Sequence, residues 1–166
     1  MHRPRILVIC THNSARSQMA EGLFRALAGD RFDVASAGTE ATCVRPEAIR
    51  VMAEQGIDIR DQHSKTLTRF LGESFAWVIT VCDQAREACP VFPGAERTLH
   101  WSVDDPSKVD GSEAARLEAY RRAATDLGDR IRAFLADLDI GDGGAVDREA
   151  AAASVDRPRP STGDHA

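Results

Sequence analysis

The run Arg5-Ile6-Leu7-Val8-Ile9, its close at Cys10 and the helical stretch that starts at Ser17 constrain this chain more than any other feature. A continuous β-branched apolar run of this kind suits a parallel strand covered on both faces. From Ser17 to Leu27, residues Met19, Leu23, Ala26 and Leu27 recur at helical spacing. Between strand and helix lie Thr11, His12, Asn13, Ser14, Ala15 and Arg16, a short loop of small and polar residues. Backbone N–H groups of such a loop, with those at the helix N-terminus, point at a common centre and favour an anion there. The same field favours the thiolate form of a cysteine at the loop's start. Arg16 offers a planar fork of donors for two oxygens of a tetrahedral anion, and the Ser17 hydroxyl can donate to the thiolate. Asn13 tolerates the left-handed backbone that a tight loop needs. The Cys-x5-Arg spacing alone also fits a buried structural cysteine near a solvated arginine; the strand before and the helix after favour the anion loop.

Further along, strand signals alternate with helical ones. Phe32 to Ala37 reads as a second strand, Pro46 to Gln55 as a helix with Ile49, Met52 and Ala53 inward, and Leu67 to Leu71 as a short helix. Phe75 to Val81 is the strongest strand signal and ends at Cys82, Asp83 to Ala88 reads as one or two helical turns, and Arg97 to Trp101 is a shorter strand. A last helix is expected from Ser112 to Leu138, with Leu117, Tyr120, Ala124, Leu127, Ile131, Phe134 and Leu135 on one face. The alternation implies an α/β fold of three layers, a four-stranded parallel sheet with helices on both faces. Ligands in such sheets bind outside the carboxyl ends of the strands, where Cys10 and Cys82 both fall.

At 166 residues the chain suits one catalytic domain, expected over residues 1–139. Residues 140–166 hold only Val146 and Val155 as branched apolar residues after Ile140, too few to order a segment by burial, so a disordered tail is expected there. From Asp139 onward six acids face three arginines, which accounts for three of the five net negative charges. What remains is near neutral and lacks a basic or aromatic-basic patch, which excludes nucleic acid as partner. No run approaches membrane-spanning length and no leader precedes the first strand, so no membrane association and a cytoplasmic location are expected, with a monomer the simplest state. Four cysteines, Cys10, Cys43, Cys82 and Cys89, suit catalytic or redox use in that compartment, and without a paired Cys-x2-Cys no metal site is expected.

The second informative stretch is Val81-Cys82-Asp83-Gln84-Ala85-Arg86-Glu87-Ala88-Cys89-Pro90. If the strand ending at Cys82 neighbours the first, about 4.8 Å away, Cys82 lies within reach of the Cys10 loop. A thiolate in an oxyanion loop can serve as a phosphatase nucleophile. Extra thiols at the same edge suggest a reduction: a second cysteine attacks the Cys10 sulfur while an oxyanion is bonded to it, and the electron pair leaves with the oxyanion. Cys89 then resolves the disulfide by attacking Cys82. Were 82–89 continuous helix, the two Cα atoms would stand about 10 Å apart. A disulfide needs less than about 7 Å, so oxidation is expected to rearrange this segment. Two unrelated thiols remain the alternative on spacing alone. Asp104-Asp105-Pro106 follows the fourth strand at the same edge; it fits a plain turn, and it also places an acid where an oxygen leaves the attacked atom. Asp105, next to the proline, is chosen over Asp104.

Taken together, Cys10-Thr11-His12-Asn13-Ser14-Ala15-Arg16-Ser17-Gln18-Met19-Ala20-Glu21-Gly22, Val81-Cys82-Asp83 with Cys89-Pro90, and His100-Trp101 with Asp104-Asp105-Pro106 resemble the thioredoxin-coupled arsenate reductases. Those proteins share the low-molecular-weight tyrosine phosphatase fold. The resemblance implies Cys10 as nucleophile, Arg16 with the loop from Thr11 to Ser17 as arsenate cradle, Asp105 as general acid, and Cys82 and Cys89 as relay. It implies arsenite as product, no bound cofactor, and reduced thioredoxin as electron donor. Two departures stand out. His12 replaces a frequent glycine and is expected to face solvent. Some of these proteins bind potassium through positions matching Asn13, Glu21 and Ser36 and a carboxylate; Lys65 stands at the matching position here, and its ammonium is expected to replace the cation. Cys43 matches no relay position and is taken as a spare thiol.

Three rivals differ in what they need. A tyrosine phosphatase of this fold would use Cys10, Arg16 and Asp105 and leave Cys82 and Cys89 idle, but Pro106-Ser107-Lys108 offers no tyrosine for an aromatic wall. A non-catalytic oxyanion or arsenite sensor would not need Asp105. A reductase drawing on a low-molecular-weight thiol would not need both Cys82 and Cys89.

Overall fold

The computed structural model describes residues 3–83, 85 and 92–155, those from 142 in backbone only. The element order is β1 (Arg5–Cys10), α1 (Arg16–Ala28), β2 (Asp33–Gly38), α2 (Pro46–Glu54), a 3-10 turn (Leu67–Phe70), β3 (Phe75–Thr80), β4 (Ala95–His100), a second 3-10 turn (Pro106–Lys108) and α3 (Glu113–Val155). The chain divides into two compact units, Met1–Ile131 and Arg132–Ala166.

In the first unit all four strands are parallel, in the order β2-β1-β3-β4, with helices on both faces. Strand β1 is central, and Ile6, Leu7, Val8 and Ile9 are fully buried, as its uninterrupted apolar run requires. From β1 the chain steps to one edge at β2, then returns past β1 to β3. The topological switch point therefore lies between β1 and β3, and the loops leaving those two strands flank it. The register pairs Ile9 with Thr80, and Val81 N–H donates to Ile9 O at 2.9 Å, so Cys10 and Cys82 emerge side by side. Edge strand β4 has an exposed middle at Glu96, Arg97 and Thr98, in keeping with its polar sequence.

The helices depart from expectation in which faces they bury. Phe24, not Ala26 or Leu27, completes the inward face of α1, and its indole partner Trp101 stacks on it at 6.2 Å. The first turns of α1 are buried all round, which shifts the apolar stripe away from a simple amphipathic pattern. Helix α2 buries Ala48, Val51 and Met52, while Ile49 is half-buried and Ala53 exposed. The face is thus set one position earlier than its largest side chains suggest. Within Glu113 to Ile131, α3 buries Leu117, Tyr120, Ala124, Leu127 and Ile131, as the spacing predicts.

Beyond Leu138, α3 continues to Val155, through most of the stretch expected to be a disordered tail. Among the described residues no helix is long and apolar enough to cross a membrane. The helical turns expected over Asp83 to Ala88 lie outside the described residues, apart from Asp83 and Ala85.

Candidate active site

The loop between β1 and α1 is held from below and behind. Asn13 sits in the left-handed region at φ 50° and is fully buried. Its Nδ2 donates to Ser17 Oγ at 2.8 Å and to Ser36 Oγ at 2.9 Å, while its Oδ1 accepts from Gln18 Nε2 at 2.8 Å and Lys65 N at 3.0 Å. Four partners on three segments fix the one residue whose backbone turns the chain. Gly38 ends β2 directly beneath: a Cβ there would stand 2.7 Å from Thr11 O and 2.8 Å from Asn13 N. The loop backbone therefore rests on the absence of a side chain. Helix α1 starts without a side-chain cap at Ala15, which leaves its first N–H groups aimed at the loop centre.

Cys10 is buried, and its Sγ lies 2.8 Å from Ser17 Oγ in the first turn of α1. Ser17 in turn accepts from Asn13, so its own proton is free to go to the sulfur. Arg16 is nearly buried; its Nη1 donates to Val103 O at 2.9 Å, and its Nη2 lies 3.3 Å from Asp105 Oδ2. Both partners belong to the loop after β4, which brings the acid loop over the Cys10 loop. Asp105 Oδ1 accepts from Ser107 N at 2.9 Å and Ser107 Oγ at 2.6 Å, while Asp104 is exposed. Burial pushes the Asp105 carboxyl up. Bonds from the Ser107 hydroxyl, the Arg16 charge, the Ser107 N–H and Lys108 outweigh it and hold the group below the usual carboxylate value. The Asp-Pro turn and the acid beside Arg16 are thus one feature.

Cys82, also buried, places Sγ 3.2 Å from Thr11 Oγ1 and accepts Ala85 N–H at 3.4 Å. The loop residue next to Cys10 therefore touches the second thiol. Cys10, Cys43 and Cys82 are free thiols, Cys43 exposed, and Cys89 lies outside the described residues. His12 is exposed with Nε2 3.6 Å from Glu40 Oε2, and only its carbonyl, accepting from Ser64 Oγ at 3.0 Å, braces the loop. Ser14 and Ala15 are buried in the loop wall, and Ser14 O accepts Arg45 N–H at 2.9 Å. At the potassium-like position, Lys65 Nζ lies 3.8 Å from buried Glu21 Oε1 and donates to His63 O at 2.9 Å. Burial raises the Glu21 carboxyl against Lys65, Arg25 and Ser36, and lowers the Lys65 ammonium against Glu21; desolvation outweighs attraction in both. A cleft of about 360 Å³ lies beyond the acid loop, lined by Val103, Asp105, Val109, Arg122 and Asp126, and no residue of the Cys10 loop reaches it.

Sequence reasoning missed Ser107, the Val103 carbonyl and the Gln18 brace. Asp-Pro-Ser is the signature of a side chain that caps its own turn, so Ser107 was available from local pattern. The other two depend on contacts across the chain.

Residues 5–142 match the low molecular weight phosphotyrosine protein phosphatase family. The chain belongs to that family. Within it, the arsenate reductase of Halalkalibacterium halodurans is 41% identical over 134 residues, covering 81% of this chain and 96% of the relative. A solved arsenate reductase in its phosphate-binding state superposes with a TM-score of 0.70 at 30% identity, over 81% of this chain and 98% of the other. The thioredoxin-dependent arsenate reductase of Corynebacterium glutamicum gives a TM-score of 0.66 at 27% identity, over 84% of this chain and 63% of the other. This family member thus shares its fold with solved arsenate reductases and is similar in sequence to relatives that carry that name.

Proposed function

We propose that this enzyme reduces arsenate to arsenite through Cys10, Cys82 and Cys89, with reduced thioredoxin restoring the thiols. The observation that carries the reading is the contact of Cys82 Sγ with Thr11 Oγ1 at 3.2 Å, a second thiol on the rim of the anion loop that a phosphatase does not use. Arsenate enters the cradle of loop N–H groups and draws Arg16 away from Val103 O and Asp105. The Cys10 thiolate, stabilised by Ser17, attacks arsenic, and one oxygen departs as water with a proton from Asp105. Asp105 is ionised in the free enzyme, so it takes that proton when a protonated oxyanion arrives beside it and Arg16 turns to the substrate. Cys82 then attacks the Cys10 sulfur. An S–S bond forms, the sulfur–arsenic pair stays on arsenic, and As(V) leaves as As(III) while two thiols are oxidised. Cys89 attacks Cys82, freeing the Cys10 thiolate, and the Cys82–Cys89 disulfide takes two electrons from thioredoxin. Free thiols at the site suit a reducing, cytoplasmic setting.

The test follows NADPH consumption with arsenate, thioredoxin and thioredoxin reductase. Native protein turns over, and Cys10→Ser, Cys82→Ser and Cys89→Ser each lose at least about 10³-fold. Cys82→Ser and Cys89→Ser keep the slow Cys10-dependent hydrolysis of an aryl phosphate, since the loop reads a tetrahedral oxyanion by shape. Native protein that hydrolyses aryl phosphate without any arsenate turnover is a phosphatase. Stoichiometric binding of arsenite without either activity identifies a sensor. Turnover with a low-molecular-weight thiol and none with thioredoxin replaces the donor alone.

A further inference from the structure

Asp83, the residue after Cys82, is tied to the end of β4. Its Oδ1 lies 2.7 Å from His100 Nε2, and Ser102 Oγ donates to Oδ1 at 3.3 Å and Oδ2 at 3.4 Å. His100 Nδ1 lies 2.7 Å from Thr80 Oγ1, and Thr80 and His100 are register partners across β3 and β4. A carboxylate only accepts, so Nε2 carries a proton in this pair, and a neutral ring then takes the Thr80 hydroxyl proton at Nδ1. The His100 ring is mostly buried while the Asp83 side chain is 69% exposed. One imidazole held by the sheet thus ties together side chains on both sides of Cys82, the Thr80 hydroxyl before it and the Asp83 carboxylate after it.

That grip meets a need of the relay. Among the described residues, Cys82 Sγ is held near the Cys10 loop by the Thr11 hydroxyl and by the Ala85 N–H that follows it. Attack on the Cys10 sulfur requires the Cys82 sulfur in line with the sulfur–arsenic bond, and a small displacement of an attacking atom costs rate steeply. The chain after Cys82 must also be able to rearrange when Cys89 closes on it. A clamp at Asp83 lets the one hold while the other moves. We propose that His100 and Asp83 are a positioning pair for Cys82: they act on the disulfide-forming step and leave the first attack by Cys10 untouched. This rests on the relay proposed above.

The experiment compares two activities of the full-length protein. Arsenate turnover with thioredoxin needs Cys82; aryl phosphate hydrolysis needs only Cys10, Arg16 and Asp105. Asp83→Ala and His100→Ala are expected to lower kcat for arsenate about tenfold, with KM for arsenate and kcat for aryl phosphate within about twofold of native. The double variant is expected to fall no further than either single one, because the two residues act as a unit. Asp83→Asn keeps an oxygen for Nε2–H, and His100→Gln keeps an N–H at nearly the same reach, so both are expected to recover most of the rate. Equal loss of both activities, or no recovery in the conservative variants, reduces the pair to a structural contact and overturns the proposal. Native arsenate rates in Asp83→Ala and His100→Ala overturn it as well. Absence of arsenate turnover in native protein instead removes the reductase reading on which it stands.

Discussion

Arg16 and Asp105 set the chemistry of the resting site, because each satisfies the other until substrate comes. Arg16 is nearly buried and has Val103 O and Asp105 Oδ2 as partners, so an incoming oxyanion replaces contacts and does not meet a bare charge. The Asp105 carboxyl, held below its usual value of 3.8, contributes stability above that pH and loses it as pH falls toward the lower folded value. Acidification below about pH 3.8 is therefore expected to lower the melting temperature of native protein more steeply than that of Asp105→Asn. At neutral pH Asp105→Asn is expected to slow arsenate turnover about 10²- to 10⁴-fold, the usual span for a lost general acid. A loss under about threefold in steady-state assays would remove Asp105 from that role. The sequence pointed to Asp105 through its neighbour Pro106 and its place after a strand, but the ion pair to Arg16 joins loops far apart in the chain and had no local sign.

Among the elements, the end of β2 decides whether the Cys10 loop can form. Gly38 leaves room for Thr11 O and the Asn13 N–H, and both are backbone atoms that cannot step aside as a flexible side chain does. Gly38→Ala is expected to cost about 1–3 kcal/mol of stability from overpacking and to raise KM for arsenate, since the displaced N–H groups are the cradle. Unchanged thermal unfolding together with an unchanged KM would show that the loop tolerates the methyl group. Strands were legible to within about two residues because a run of β-branched residues between turn signals is a local property. Helix faces were less so. Phe24 displaced Ala26 and Leu27 because the indole of Trp101 stacks on it, and α2 buries Ala48 and Val51 in place of Ala53 because its inward face is set by packing against α1, a neighbour its own sequence does not name.

Within the first unit, Lys65 and Glu21 stand at the positions for which the resemblance implies a potassium site in some relatives, and we propose that the Lys65 ammonium takes the cation's part. The Nζ atom lies 3.8 Å from Glu21, inside a cluster that also braces Asn13 through the Lys65 backbone N–H. An ammonium there supplies the positive charge that the buried carboxylate needs. Exchange of potassium for sodium at constant ionic strength is therefore expected to leave both the melting temperature and kcat/KM for arsenate unchanged. Lys65→Asp restores a carboxylate set with Asn13, Glu21 and Ser36 and is expected to make stability rise with added potassium. A native protein whose melting temperature rises with potassium and not with sodium would refute the substitution of cation by lysine.

Residue order alone carried the alternation of strands and helices, the short loop from Cys10 to Arg16 between strand and helix, the Asp105 turn and the list of thiols. All of these are patterns among neighbours a few positions apart, where pleat, helical period and turn chemistry act directly. Partnership across the chain came from the fold: Thr11 meets Cys82 over 71 residues and Arg16 meets Val103 over 87. His100 meets Asp83 over 17, but through the register of β3 with β4. Strand order and register decide such pairs, and they are settled by how all the layers bury their apolar faces at once, a quantity no single stretch of sequence contains.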